Sequence, residues 1–152
     1  MSKPLIVLAM SLLATGSMVA SQEGEVMAPV REFIDGFNQG DVAKAQAACA
    51  DQTSIIDDFP PNEWRGSGAT SKWFRDLTGF AKKNGMSDAV VSLRKPRRIS
   101  ITGAHAYVVV PVALRYKDKS RLVNTTGLMT LALHKAGNGW RIGAWARTWG
   151  NN

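Results

Sequence analysis

The sequence predicts an α+β domain, and three observations support this fold class. Helical periodicity dominates the first half of the chain, and β-branched and aromatic runs separated by turns fill the second half. The length of 152 residues suits one domain. Helices followed by a series of long strands with short turns indicate an antiparallel sheet with the helices packed on one face.

Residues 1–21 are predicted to be a cleavable export signal. Met1-Ser2-Lys3 is a positive start, the run from Pro4 to Ala14 is apolar, and Val19-Ala20-Ser21 ends the segment with small residues. The apolar run is shorter than the ~20 residues that span a bilayer. We expect cleavage after Ser21, or alternatively after Ala20, and an exported (periplasmic or secreted) domain of residues 22–152 without a membrane span.

The chain is basic, with a formal net charge of +7 that becomes +6 once Lys3 is removed with the signal. The positive charges are spread along the chain, at Lys82-Lys83, Lys95 to Arg98, Arg115 to Arg121, Arg141 and Arg147. No segment resembles a nucleic-acid recognition helix, so a solvated basic surface is the better interpretation and no nucleic-acid partner is expected.

Cysteine and histidine offer little chemistry in this sequence. Cys49 is the single cysteine and lies in an alanine-rich stretch, where a buried apolar role is expected. His105 and His134 stand at predicted strand ends and lack the spacing of metal ligands. We therefore expect no metal and no other cofactor.

The first predicted helix covers residues 26–39. Its apolar residues recur at helical spacing and form one stripe, and Gly40 ends it. The stripe consists of Val26, Val30, Phe33, Ile34 and Phe37. Asp41 is a natural N-cap for a second, shorter helix.

A third helix is predicted between Gly66-Ser67-Gly68 and Gly85. Its apolar face contains Trp73, Phe74, Leu77, Phe80 and Ala81. Lys82-Lys83 suit its C-terminal end, where the helix dipole favours positive charge, and glycine is a common terminator.

Six strands are predicted. The first, Thr53 to Asp58, is short because Pro60-Pro61 cannot donate to a sheet. The other five are Ala89–Leu93, Arg97–Thr102, His105–Tyr116, Arg121–Lys135 and Trp140–Trp149.

The order of these elements resembles the nuclear transport factor 2-like (SnoaL-like) superfamily. The resemblance covers essentially all of residues 22–152 and rests on the segments 37–41 (FNQGD), 55–59 (IIDDF), Gly66 and 140–142 (WRI). It implies a cone, in which a curved antiparallel sheet wraps the helices and leaves a cavity at one end. Members include ketosteroid isomerases, polyketide cyclases, dehydratases and proteins that only bind, so the fold alone does not assign a function.

The resemblance places Asp57 where ketosteroid isomerases keep their general base. The adjacent Asp58 is the second choice, because neighbouring strand residues face opposite sides and only one of the two enters the cavity. The oxyanion donors of those enzymes are missing. Their tyrosine falls on Phe33, and their acid falls among Thr130, Leu131 and Ala132. Stabilisation of an enolate by that mechanism is therefore not expected.

Several other side chains are candidates for the pocket wall, each with a structural alternative. Trp64 is predicted in a loop at the opening, whereas Trp73 fits the helix core better. Tyr107 and Arg115 share one face of a strand and line the cavity if that face is the inner one. The opposite face, from Val108 to Tyr116, is the purer hydrophobic layer, and Arg115 equally fits a solvated hairpin tip.

The last strand places Trp145, Arg147 and Trp149 on one face. An arginine between two indoles suits either a ligand carboxylate or the surface of a homodimer. Three functions stay open. Binding of a small hydrophobic molecule in the cavity is slightly favoured. A cofactor-independent isomerase, cyclase or dehydratase using Asp57 is the first alternative, and a dimeric scaffold or accessory subunit is the second.

Overall fold

A computed structural model describes residues 12–150, with side chains from residue 18 onward. This range contains three helices, α1 (Leu12–Gln39), α2 (Val42–Ala47) and α3 (Ala69–Asn84). It also contains seven strands, which are β1 (Cys49–Ile56), β2 (Glu63–Ser67), β3 (Met86–Leu93), β4 (Arg98–Thr102), β5 (His105–Asp118), β6 (Arg121–Ala136) and β7 (Gly139–Trp149).

All seven strands form one curved, open sheet. Its order is β2-β1-β7-β6-β5-β3, and β4 continues along β5 beyond the end of β3. The predicted α+β class is confirmed. One pairing departs from the predicted antiparallel pattern, because β1 runs parallel to β7. The chain must cross most of the domain between these two strands, and such a crossover permits a parallel pair.

Helix α1 is longer than the predicted 26–39. Its described part extends from Leu12, but residues 18–25 are exposed and its buried face starts at Val26. Residues 1–11 of the predicted export signal lie outside the described range, and export stays a prediction. No helix within the described residues is long and apolar enough to cross a membrane.

Local signals in the sequence set the ends of α2 and α3. The Asp41 carboxylate accepts a hydrogen bond from the Lys44 backbone N–H at 2.9 Å, which is the predicted N-cap. Gly68 and Gly85 flank α3 with left-handed φ angles of 72° and 70°. Glycine adopts this conformation without the steric penalty of a side chain, so both helix ends follow from the sequence.

Asn38 fastens the end of α1 to the sheet. Its side-chain amide donates to the Val91 carbonyl and accepts from the Val91 N–H, each at 2.8 Å. Strand β3 is irregular between Ser87 and Val90, and the amide provides partners for the backbone next to this irregularity. The C-terminal end of α1 is therefore anchored to β3.

Strand β2 was not predicted, and it changes the setting of the two aspartates. Residues Glu63–Ser67 pair with β1, so Trp64 lies on a strand and is buried rather than exposed in a loop. Strand β1 ends at Ile56, and Asp57 and Asp58 begin the turn to β2. This turn is closed by two hydrogen bonds between Asp57 and Asn62, at 3.2 and 3.1 Å.

Candidate functional site

A buried ion pair stands at the centre of the site. Arg147 on β7 donates to Asp57 from Nη2 at 2.7 and 3.0 Å and from Nε at 3.2 Å. The Asp57 side chain is fully buried, and the Arg147 side chain is 10% exposed. The planar guanidinium group can donate to both oxygens of a carboxylate at once, so the pair is held in one geometry.

Two further donors complete the surroundings of the Asp57 carboxylate. The Trp73 indole N–H donates to Oδ2 at 2.9 Å, and the Asp58 backbone N–H donates to Oδ1 at 3.0 Å. Both oxygens are thus occupied by donors from α3, β7 and the turn. A carboxylate bound in this way takes a proton from a substrate only after these bonds are broken, so the geometry gives Asp57 a positioning role.

Arg147 also contacts a second ring. Its guanidinium carbon lies 4.5 Å from the centroid of the Trp149 ring, a cation–π distance. One side of the guanidinium is therefore bound to Asp57, and another is covered by an indole. Asp57 and Trp149 together hold Arg147 at the wall of a pocket.

The pocket lies between α3, the end of α1 and the inner face of the sheet, and we call it the aromatic pocket. Its volume is about 700 Å³, within the range of small-molecule sites. Its large apolar residues are Phe37, Phe59, Phe74, Leu77, Phe80, Met86, Leu114, Tyr116 and Trp149. Its charged residues are Asp58, Lys82, Asp88 and Arg147.

Of the adjacent aspartates Asp57 and Asp58, Asp58 is the one that lines this pocket. Partial burial raises the pKa of its carboxyl, and the neighbouring Asp57 raises it further, while Arg147 acts in the opposite direction. The ionised form of Asp58 is therefore less favourable than that of an aspartate in water. A ligand in the pocket meets this carboxyl and not that of Asp57.

Asp58→Asn is expected to stabilise the protein at pH 7. The folded-state pKa of Asp58 is raised, so ionisation costs more free energy in the folded than in the unfolded protein, and the amide removes this cost. The gain should fade as the pH falls through the raised folded-state pKa and be largely gone below about pH 4, where Asp58 becomes protonated in both states. Because Asp58 is well exposed, the shift in Tm should be only about 1–2 °C at pH 7.

Thermal unfolding followed by circular dichroism between pH 3 and 7 measures this difference. Glu32→Gln is the matched control, because Glu32 is an exposed acid on α1. A Tm gain from Asp58→Asn that is constant across this pH range would contradict the electrostatic explanation.

Most of the aromatic residues that were predicted to line a pocket belong to the core instead. Phe33, Trp73 and Trp145 are at most 3% exposed and contact one another, with ring centroids 5.1–6.0 Å apart. Trp64 packs on Phe59 and donates its indole N–H to Asp76 at 2.9 Å. The dimeric scaffold alternative needed Trp145 on an outer surface that a partner could contact, and Trp145 is buried instead.

Tyr107 and Arg115 lie outside the aromatic pocket, on the opposite face of β5. The inner face is the hydrophobic one, with Val108, Val110 and Val112 buried in the core. Burial of apolar surface decides which face turns inward, because it outweighs the benefit of bringing two polar groups into a cavity. The tyrosine that lines the pocket is Tyr116, on the inner face, and not the predicted Tyr107.

Cys49 and the histidines take no part in this site. Burial raises the pKa of the Cys49 thiol to about 11, which keeps it protonated. His105 and His134 are register partners at one end of β5 and β6. Within the described residues, no group of three or more His, Cys, Asp or Glu side chains is arranged to hold a metal ion.

Comparison with known proteins relates this arrangement to a family and to a common fold. The profile of a family described as "SnoaL-like domain" matches residues 26–145. Among curated protein sequences, none matches the chain significantly.

Solved structures share the fold at low sequence identity. A nuclear transport factor 2-like superfamily protein from Salmonella enterica serovar Typhimurium has a TM-score of 0.71 and 19% identity, over 88% of this chain and 94% of the other. A ketosteroid isomerase-like protein from Erwinia carotovora atroseptica has a TM-score of 0.68 and 12% identity, over 85% and 96%. A CaMKII hub from S. rosetta has a TM-score of 0.69 and 16% identity, over 84% and 95%. Identities this low establish similarity of fold alone.

Proposed function

The chain belongs to the SnoaL-like domain family, and on that premise we propose that it binds a small hydrophobic organic molecule in the aromatic pocket. The observation that carries the proposal is the pocket itself, about 700 Å³ in volume and lined mainly by phenyl, indole and aliphatic groups. An apolar concave site with a few polar groups is the usual form of a small-molecule site. Burial of a ring system against such a wall supplies most of the binding free energy.

The ion pair supports this function by shaping the pocket wall. Arg147 holds Asp57 on one side and Trp149 on the other, so the indole is fixed at the wall. Asp57 in turn is fixed by Trp73 of α3. A wall whose side chains are already ordered loses less conformational entropy when a ligand binds.

The pocket-filling variant Leu77→Trp tests the proposal. Leu77 is half-buried on α3 and lines the aromatic pocket, so an indole at this position occupies space that a ligand needs. We expect wild type to bind the neutral probe 2-naphthylmethanol with a Kd between about 10 μM and 1 mM, the range for a ligand of this size. Leu77→Trp should weaken binding by more than about tenfold, measured by isothermal titration calorimetry.

Lys72→Trp is the matched control, because it places the same side chain on the exposed face of the same helix. It should bind the probe as wild type does. Circular dichroism of both variants checks that they are folded. Equal binding by wild type and folded Leu77→Trp would exclude the aromatic pocket as the ligand site.

A second candidate function is a cofactor-independent isomerase-, cyclase- or dehydratase-like enzyme. It is favoured by one observation, the carboxyl of Asp58 at the pocket wall with its raised pKa. A carboxyl whose pKa is raised is a better proton acceptor than a free aspartate. In such an enzyme Asp58 moves the proton, and Asp57 positions Arg147.

The two candidates differ in what happens to a bound molecule. The natural ligand can be sought by mass spectrometry of material that co-purifies with the protein. For an enzyme, wild type converts that molecule, and Asp58→Asn binds it without conversion. Unchanged recovery of the molecule from wild type supports binding alone.

A further inference from the structure

One group of neighbouring charges at the aromatic pocket is not balanced within itself. Asp57, Asp58 and Arg147 are neighbours, and they bring two carboxylates to one guanidinium. Arg147 directs both Nε and Nη2 to Asp57, so its charge is largely taken up by that partner. These three groups therefore carry a net charge of −1 when Asp58 is ionised, and Asp58 is the carboxylate of the two that lines the pocket.

The remaining charged groups lie at the rim. Asp88 is paired with Lys117 at 2.8 Å, and both side chains are more than half exposed. Lys82 stands in the last turn of α3, where it is exposed and its charge interacts favourably with the helix dipole. Asp58 is exposed as well, but it adjoins the buried Asp57 carboxylate, whereas Lys82 and Lys117 carry their charge on long side chains that solvent and salt screen.

Asp58 is also held in position. Its backbone N–H is bound to Asp57, and the turn from Asp57 to Asn62 is closed by backbone and side-chain hydrogen bonds. An aspartate side chain has few rotatable bonds, so its carboxylate stays close to this ordered backbone and can accept from a ligand in the pocket. Such a group recognises a ligand donor at low entropic cost.

The pocket rings favour the same ligand charge. Phe59 and Phe80 pack together with centroids 5.3 Å apart, and Tyr116 lines the pocket as well. The faces of these rings carry partial negative charge and attract cations. The Trp149 ring already contacts the Arg147 guanidinium and Phe59 is only 3% exposed, so the half-buried rings of Phe80 and Tyr116 are the ones left for a ligand.

We propose that the natural ligand of the aromatic pocket is an organic cation, a hydrophobic ring system that bears an ammonium group bound by Asp58. This inference rests on the proposed function and names the chemical class of its ligand. An ammonium group pairs with the excess carboxylate, and its ring system contacts the apolar wall. A carboxylate ligand of the same shape would meet Asp58, whose charge has the same sign as its own, beside an Arg147 that is already paired with Asp57.

Three probes that share a naphthalene ring test the proposal by calorimetry at pH 7. They are 2-naphthylmethylamine, which is a cation, 2-naphthylmethanol, which is neutral, and 2-naphthoate, which is an anion. We expect the amine to bind wild type about tenfold more tightly than the alcohol, and the naphthoate to bind most weakly. Higher salt should reduce the advantage of the amine.

Asp58→Asn should remove the advantage of the amine over the alcohol. Asp35→Asn, a substitution of an exposed aspartate on α1, is the matched control and should retain the advantage. Equal binding of amine and alcohol by wild type, or tighter binding of naphthoate, would overturn the cation proposal while leaving the pocket function intact. If no probe binds wild type, or if Leu77→Trp binds all of them normally, the proposed function itself fails.

Discussion

Arg147→Met is expected to lower the free energy of unfolding by about 3–5 kcal/mol, because it leaves a fully buried Asp57 carboxylate without its counterion. Methionine retains much of the aliphatic length of arginine, so the loss reflects the charge more than the volume. Trp73 and the Asp58 backbone N–H still donate to the carboxylate, but neither offsets its charge. Urea unfolding followed by circular dichroism measures the change.

Two further variants separate the ion pair from general effects of the substitution. Arg115→Met removes an exposed arginine from β5 and should change stability by no more than about 0.5 kcal/mol. The double variant Asp57→Asn/Arg147→Met removes both charges and should be more stable than Arg147→Met alone. If Arg147→Met and Arg115→Met were equally stable, the ion pair would have no structural role.

Trp73→Ala is expected to cost about 3–5 kcal/mol. Trp73 is 1% exposed, and its ring packs against Phe74 at 4.9 Å and Trp145 at 5.1 Å. Truncation removes this ring packing and also the indole donor to Asp57. The free energy of unfolding is again measured in urea, with circular dichroism as the signal.

Trp73→Phe distinguishes the donor from the ring. It retains a ring but leaves Asp57 Oδ2 without the indole N–H, at a cost of about 1–3 kcal/mol. Trp140→Phe is the matched control. Trp140 is also buried, and its indole N–H has no hydrogen-bond partner among residues 18–150. A loss from Trp73→Phe no larger than that from Trp140→Phe would show that the hydrogen bond to Asp57 contributes little.

Local patterns in the sequence predicted most of the fold. The helical stripe of α1, the Asp41 cap and the glycines around α3 each act within a few residues, and the structure bears them out. The resemblance to the SnoaL-like superfamily is confirmed by the family match over residues 26–145. Strand β2 escaped prediction because Glu63–Ser67 lacks a strand pattern of its own and pairs only in the presence of β1.

The site was harder to predict because its decisive contacts are distant in the sequence. Asp57 and Arg147 are 90 residues apart, and no spacing rule links them. Counting along the chain favoured Asp57 over Asp58, but the partner that occupies Asp57 belongs to another element. For β5, the hydrophobic face visible in the sequence was the better guide to the inner side than the polar residues Tyr107 and Arg115.

The parallel pairing of β1 with β7 also governs the order of events during synthesis. The ribosome completes β1 and Asp57 long before it adds β7, so the growing chain holds an edge strand and an acidic group that both await the final segment. Partly made chains therefore lack the strand that joins β1 and β2 to the rest of the sheet. Stable folding of this domain must wait until nearly all of its residues have been translated.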